Sequence, residues 1–363
     1  MLLTLADVLP SAAAALGVHG YRDRLGISPV NHVVVCLIDG LGWHQLQRFA
    51  GSAPFVSQQT ARAPMEAAFP STTPVGLASL GTGLLSGQHG MVGASFLLPE
   101  SGRLLSPLQW GGDPVPVAVQ PEPTIFEAVA RAGRRVTIIA PGAYQHSGLT
   151  RAALRGSTYR PSEDIEARVM ELRRVLTDSD QSLTYVYWAD VDRTGHESGV
   201  GSHHWRAALA TADQLVERLH AELPADAALI VTADHGMVDC PVDYRLSIDL
   251  TPGLRDDVVH VAGEPRLRHI YTRPGAQAHV IATWQAVLGD RIRVMSRQEL
   301  IDTGRLGPVD DMISERIGDL VAVAEGQWML ASHTDARVSS LIGQHGSWSP
   351  EEMDIPALIV RRA

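Results

Sequence analysis

The chain reads as an α/β protein with a largely parallel central sheet covered by helices on both faces. Three observations predict this class. Apolar runs alternate with helical patterns along most of the 363 residues,. Several of the runs are continuously apolar, as strands covered on both faces must be. Residues able to do chemistry recur where those runs end.

The strands are read at HVVVCLI (32–38), RVTIIA (135–140), LTYVYWA (183–189), ALIVTA (228–233), LRHIYT (267–272), DLVAVA (319–324) and PALIV (356–360),. Helices are read at 122–132, 162–177, 204–222 and 276–288. The first of these has Pro123 near its start and Gly133 after its end, the usual punctuation of a helix. The stretch 97–121, rich in Pro and Gly, reads as a loop over one edge of the sheet,. No internal repeat or low-complexity linker divides the chain. One hydrolase domain over 1–363 is expected, with a partial cap inside 241–335.

At 45% hydrophobic and 19% charged residues the chain can bury a large core,. Its formal charge of −10 argues against a nucleic-acid polymer surface, which is normally basic,. An anionic small substrate stays compatible, because bound divalent cations reverse the local field of a site made of carboxylates. Cys36 and Cys240 form no disulfide framework, and Cys36 sits inside an apolar strand as a small hydrophobe. The opening MLLTLADVLPSAAAALG lacks a basic n-region and is interrupted by Asp7 and Pro10, so it reads as a short amphipathic helix,. No apolar run is long enough to span a membrane, and a cytoplasmic location is the expectation.

Seven residues at strand-to-loop junctions have the composition of a two-metal hydrolase site: Asp39, Thr73, Asp192, His196, Asp234, His235 and His345,. Asp39 ends the first strand and precedes Gly40, where ligands bind in open α/β sheets; by itself it would pass for a turn residue. Thr73 precedes Pro74 and a helical run, which makes it the expected N-cap, beside free N–H groups that favour phosphate. Ser71 and Thr72 are rival nucleophiles on this reading. Asp192 and His196 lie four apart, so one helical turn brings both to one face, with Asp190 a nearby alternative. Asp234 and His235 close another buried strand before Gly236. His345 stands between Gln344 and Gly346. His32, His89, His203, His204 and His333 are left as surface or supporting residues.

These fragments, read in order as LIDG, FPSTT, DRTGH, DHGM and QHG, resemble the alkaline phosphatase superfamily and its nucleotide pyrophosphatase/phosphodiesterase branch. The resemblance spans residues 39 to 346, and the fifth position of FPSTT selects Thr73 over Thr72. It implies two zinc ions, with manganese the alternative. One would be held by Asp192, His196 and His345, the other by Asp39, Asp234, His235 and the Thr73 oxygen. It further implies cleavage of phosphodiester or pyrophosphate bonds of small, nucleotide-type substrates through a phosphothreonine intermediate.

The pattern departs from the branch at one place. The expected phosphate-binding Asn falls on Ala94, leaving Ser95 or a backbone amide as the substitute donor. That departure keeps a phosphomonoesterase or a phosphonate hydrolase on the same scaffold as the alternative, and an inactive metal-binding homologue behind it. A sulfatase lacks its C-x-P-x-R or S-x-P-x-R motif here. A dinucleotide-binding fold lacks G-x-G-x-x-G after the first strand. Trp43, Phe96, Trp110 and Trp188 are candidates for stacking on a substrate, although core packing is the commoner fate of such residues.

Overall fold

The computed structural model describes residues 2–59 and 63–362. Its main strands, in chain order, are β1 (His32–Ile38), β2 (Arg135–Ala140), β3 (Thr158–Pro161), β4 (Ser182–Trp188), β5 (Ala227–Thr232), β6 (Val258–Glu264), β7 (Leu267–Thr272), β8 (Ile292–Ser296), β9 (Leu320–Ala324) and β10 (Leu358–Val360). The main helices are α1 (Val8–Ala15), α2 (Thr73–Thr82), α3 (Ile125–Arg131), α4 (Ile165–Thr177), α5 (Asp190–Ser198), α6 (His203–Ala221) and α7 (Gln277–Leu288).

The central sheet has the order β10-β5-β1-β4-β2-β3. Its pairs are parallel except for β10, which runs antiparallel along β5. Every residue of β1, β4 and β5 is buried, so the middle of the sheet is covered on both faces. This matches the all-apolar reading of those runs and the expected α/β class. In register, Ile38 faces Trp188 and Leu37 faces Thr232, which brings the carboxyl ends of three neighbouring strands level.

Between β5 and β10 the chain builds a second, antiparallel sheet in the order β6-β7-β9-β8. It has its own apolar cluster, in which Trp284 of α7 packs with Ile270, Ile292 and Leu320. The β6–β7 hairpin is tight, with Glu264 paired to Leu267. That tip projects Glu264 toward the carboxyl edge of the central sheet, within 3.4 Å of His345.

Two parts of this reading need correction. The stretch 97–121 is more than a loop: Phe96–Leu98 pairs with Arg103–Leu105, and Pro116–Val119 is helical. Strands β3, β6 and β8 were not read from the sequence. β3 is mostly exposed, and β8 carries exposed Arg293 as its second residue, so neither forms a clean apolar run. β6 begins with partly exposed residues and is broken by a bulge near Val258. Among the described residues, no helix is long and apolar enough to cross a membrane.

Candidate active site

Asp39 follows β1 directly, and Asp234 and His235 follow β5, so parallel register alone places them side by side. Their donor atoms, with those of His235, all lie within 4.8 Å of one another. His235 Nε2 is 3.5 Å from Asp39 Oδ1 and 3.8 Å from Asp234 Oδ2. All three side chains are buried. Asp234 Oδ1 accepts from the Gly40 N–H at 3.2 Å. A Cβ on Gly76 would come within 2.7 Å of the Asp234 Cβ, so glycine there lets α2 close onto this cluster.

The second group sits beside the first. Asp192 and His196 share one face of α5, with His196 Nε2 3.4 Å from Asp192 Oδ1, as the four-residue spacing predicts,. His345, arriving from the far end of the chain, places Nε2 3.8 Å from the same oxygen. Gly40 has φ +72°, and a Cβ there would meet the Asp192 backbone at 2.9 Å, so this turn requires glycine for both reasons,. Asp190 points elsewhere, ion-paired to Arg193 at 2.9 Å.

The histidine partners define the chemistry of both groups. Nδ1 of His196 meets the Gly343 carbonyl at 2.7 Å, Nδ1 of His235 the Gly236 carbonyl at 2.9 Å, and Nδ1 of His345 the Ser71 carbonyl at 2.9 Å. A carbonyl can only accept, so each Nδ1 carries a proton, and when the ring is neutral Nε2 presents a lone pair. All three lone pairs face carboxylate oxygens. Asp39 Oδ1, Asp192 Oδ1 and Asp234 Oδ2 are buried without hydrogen-bond partners among the described residues. Burial, and then the Asp234 and Asp192 carboxylates, push Asp39 well above the usual carboxylate range. Burial also raises Asp234, against the opposing effect of His235. Burial, with His235 and His196 beside it, lowers His345 well below the usual imidazole range. Converging lone pairs and orphaned carboxylate oxygens repel one another unless positive charge lies between them. The donor set fits two divalent cations.

Thr73 stands at the first of these groups, with Oγ1 3.2 Å from His235 Nε2. It is the first residue of α2 rather than its N-cap. The cap is Thr72, whose carbonyl accepts from Gly76 N–H at 2.9 Å, because Pro74 occupies the second helical position. Neither rival hydroxyl shares the position of Thr73. Ser71 Oγ donates to the Ser347 carbonyl at 2.6 Å and accepts from Gly346 N–H, tying the α2 approach to the His345 loop. The Thr72 side chain interacts with Glu264. The first-turn N–H groups of Thr73 and Val75 have no partner within the helix.

A cavity of about 500 Å³ opens from Asp39, Thr73, Asp192 and His196. Tyrosines form much of its wall: Tyr144, Tyr159, Tyr185 and Tyr187. None was singled out in the sequence, although the alternation in LTYVYWA puts Tyr185 and Tyr187 on one face of β4. Tyr187 donates its hydroxyl proton to Asp39 Oδ2. Trp43, Phe96, Trp110 and Trp188 do not line this cavity; Trp110 is bonded to the Pro114 carbonyl, and Trp188 packs under Arg168. Ala94 and Ser95 are also outside its wall. Ser95 Oγ donates to the Gly263 carbonyl and accepts from its N–H at 2.8 Å. Of the histidines set aside, His32 bonds Ser182, His89 bonds Ser79, and His333 faces Asp249.

Two adjoining Asp/His groups lie at the carboxyl edge of a parallel sheet with a hydroxyl at a helix start, and the family and the fold together indicate a phosphoester hydrolase of the alkaline phosphatase superfamily. The chain belongs to the type I phosphodiesterase/nucleotide pyrophosphatase family, whose model matches residues 33–348. Its fold is similar to that of murine ectonucleotide pyrophosphatase/phosphodiesterase 5, with a TM-score of 0.73 at 20% identity over 91% of this chain and 88% of that one. An inactive form of the murine protein in complex with AMP matches with a TM-score of 0.71 at 20% identity, over 90% and 87% of the two chains. Phosphonoacetate hydrolase from Sinorhizobium meliloti 1021, in complex with phosphonoformate, gives 0.70 at 20% identity over 90% and 89%.

Proposed function

We propose that this chain is a two-cation phosphodiesterase or nucleotide pyrophosphatase that works through Thr73. The observation that carries the reading is the Thr73 hydroxyl, 3.2 Å from His235 Nε2 and beside two donor groups with orphaned carboxylate oxygens. Asp39, Asp234, His235 and the Thr73 oxygen would hold one cation, and Asp192, His196 and His345 the other. Zinc suits these nitrogen and oxygen donors best, with manganese the alternative. When bound, such cations polarise the phosphoryl oxygens and lower the pKa of a coordinated hydroxyl.

The chain's own residues do the rest. Thr73 Oγ1 releases its proton to solvent and attacks phosphorus in line, and the bond to the leaving oxygen breaks with its electron pair, that oxygen departing as an anion or taking a proton from solvent. Thr73 then carries a phosphothreonine ester that retains the second organic group of a diester. Water attacking from the opposite side releases that group as a monoester and restores the hydroxyl. Because Ala94 has no side-chain donor, we assign the stabilisation of the phosphoryl oxygens to the Thr73 and Val75 N–H groups at the positive end of α2. The AMP and phosphonoformate held by proteins of similar fold support a small phosphoryl or phosphonyl substrate.

The test is hydrolysis of bis(4-nitrophenyl) phosphate beside 4-nitrophenyl phosphate by chelated protein reloaded with zinc. Zinc-restored turnover favouring the diester is expected. A preference for the monoester would move the reading to a phosphatase on the same residues.

A further inference from the structure

The two donor groups differ in charge. Asp39, Asp234 and His235 bring two carboxylates and one imidazole; Asp192, His196 and His345 bring one carboxylate and two imidazoles. One further carboxylate stands behind the second group. Glu264 Oε2 is 3.4 Å from His345 Nδ1, the ring nitrogen that does not face Asp192. The proton on that nitrogen is already bonded to the Ser71 carbonyl, so Glu264 adds negative charge to an oriented ring.

Glu264 is built into this position. Its side chain is 8% exposed, and Oε1 has no hydrogen-bond partner among the described residues. The guanidinium groups near it are engaged elsewhere, Arg266 with Glu352 and Arg268 with Asp335. The β6–β7 turn that carries it is fixed as well. Gly263 N–H donates to Ser95 Oγ at 2.8 Å, and Gly263 has φ +84° where a Cβ would collide with the Leu267 carbonyl,. On the facing loop a Cβ at Gly346 would come within 2.7 Å of Glu264 Cγ. Glycine next to His345 thus leaves the space that Glu264 fills. A buried carboxylate without a cation of its own opposes folding, so its place here points to positive charge supplied nearby.

We propose that Glu264 is a positioning residue that acts through His345: its carboxylate, presented by the β6–β7 hairpin, makes His345 Nε2 a stronger donor and completes the charge of the second cation site. The inference rests on the two-cation reading above and adds to it a residue outside both donor sets. A carboxylate on the far nitrogen of a ligating imidazole fixes the ring and raises its basicity as a ligand. The second antiparallel sheet thereby takes part in cation binding without contributing a ligand.

The test is competitive chelator titration of zinc into metal-free wild type, Glu264→Gln, His345→Ala and the double variant, with urea unfolding of each metal-free protein alongside. Glutamine has the shape of glutamate and keeps an acceptor for Thr72, so Glu264→Gln removes charge alone. It is expected to weaken one of the two zinc ions about 10–100-fold and to leave the other within about twofold. In the His345→Ala background the same change should add less than about twofold, because the ring that transmits it is gone. Metal-free Glu264→Gln should unfold at the same urea midpoint as wild type or a higher one, since an uncompensated buried carboxylate has been removed. Unchanged affinity for both ions in Glu264→Gln overturns the proposal and leaves the two-cation reading standing. Equal weakening of both ions, or an undiminished effect in the His345→Ala background, overturns it too. So does a lowered urea midpoint with unchanged zinc affinity, which would make Glu264 a folding residue alone. Fewer than two zinc ions in wild type would remove the two-cation reading and the proposal with it.

Discussion

The imidazole rings of His235 and His345 stack with centroids 3.7 Å apart, so the two donor groups share a wall. His235 completes one set, with Asp39 and Asp234; His345 completes the other, with Asp192 and His196. Their Nδ1–H groups are held by different backbone carbonyls, Gly236 and Ser71. The two sets are therefore contiguous but separately supported, and they should respond separately to mutation.

Thr73→Ala should lower diester turnover by at least about 10³-fold, because it removes the attacking oxygen. It should leave two zinc ions per chain, since six other donors remain. Steady-state kinetics and elemental analysis on one preparation check both halves. Retention of a tenth of the activity would shift the nucleophile to Thr72 or to water.

His345→Ala should weaken one zinc preferentially, by two or more orders of magnitude, while the ion beside Asp39 and Asp234 is retained. Competitive chelator titration separates the two affinities. Equal loss of both ions contradicts the assignment of ligands.

Tyr187→Phe should lower the affinity of the ion beside Asp39 by about 10–100-fold, the range for loss of a partner that orients a ligand. Tyr187 donates to Asp39 Oδ2 and leaves Oδ1 facing His235. The measurement is the same titration, and an unchanged affinity would mean that Asp39 is oriented by packing alone.

Two histidines remote from the site set a pH dependence of stability. His89 accepts from Met91 N–H on Nδ1, and His269 accepts from Gly318 N–H in the same way. Burial lowers His89 to about 3 and His269 to about 4. In the unfolded chain both titrate near 6.5, so below that pH the unfolded state binds more protons and stability falls. The loss begins as pH drops through about 6.5 and is complete near each folded value. Each histidine contributes a slope of up to about 1.4 kcal/mol per pH unit. Urea unfolding of wild type and of His89→Gln/His269→Gln between pH 7 and pH 5 isolates the effect as a difference in slope. Parallel curves would exclude it.

Arg266 and Glu352 form a fully buried ion pair at 2.7 Å, joining the β6–β7 hairpin to the segment after His345. Glu352 also accepts from Ser347 N–H and the Ser349 hydroxyl. Arg266→Met should destabilise the protein by about 3–5 kcal/mol, because a buried carboxylate loses its cation. Chemical denaturation reads the change, and a loss below about 1 kcal/mol would show that water reaches Glu352.

The sequence shows the site more fully than it shows the fold around it, for physical reasons. Asp39 and Asp234 were readable because continuously apolar strands deliver them to one sheet edge. Asp192 and His196 were readable because their spacing matches a helical turn. Thr73 was placed one position off its helical role, since Pro74 is tolerated at either of the first two positions. Tyr185 and Tyr187 were hidden because a tyrosine in a buried strand reads as core, and only tertiary packing opens a cavity beside it. Glu264 was hidden for a related reason. It reaches His345 from a hairpin tip on a separate sheet, and no periodicity connects the two.

The most direct test of the central claim is acid-quench mass spectrometry of the zinc-loaded protein during turnover of bis(4-nitrophenyl) phosphate. A 4-nitrophenyl phosphoryl adduct on the peptide carrying Thr73, absent after chelation and in Thr73→Ala, is the predicted result. Turnover with no adduct on Thr73 at any quench time, or with an adduct on another residue, would contradict it.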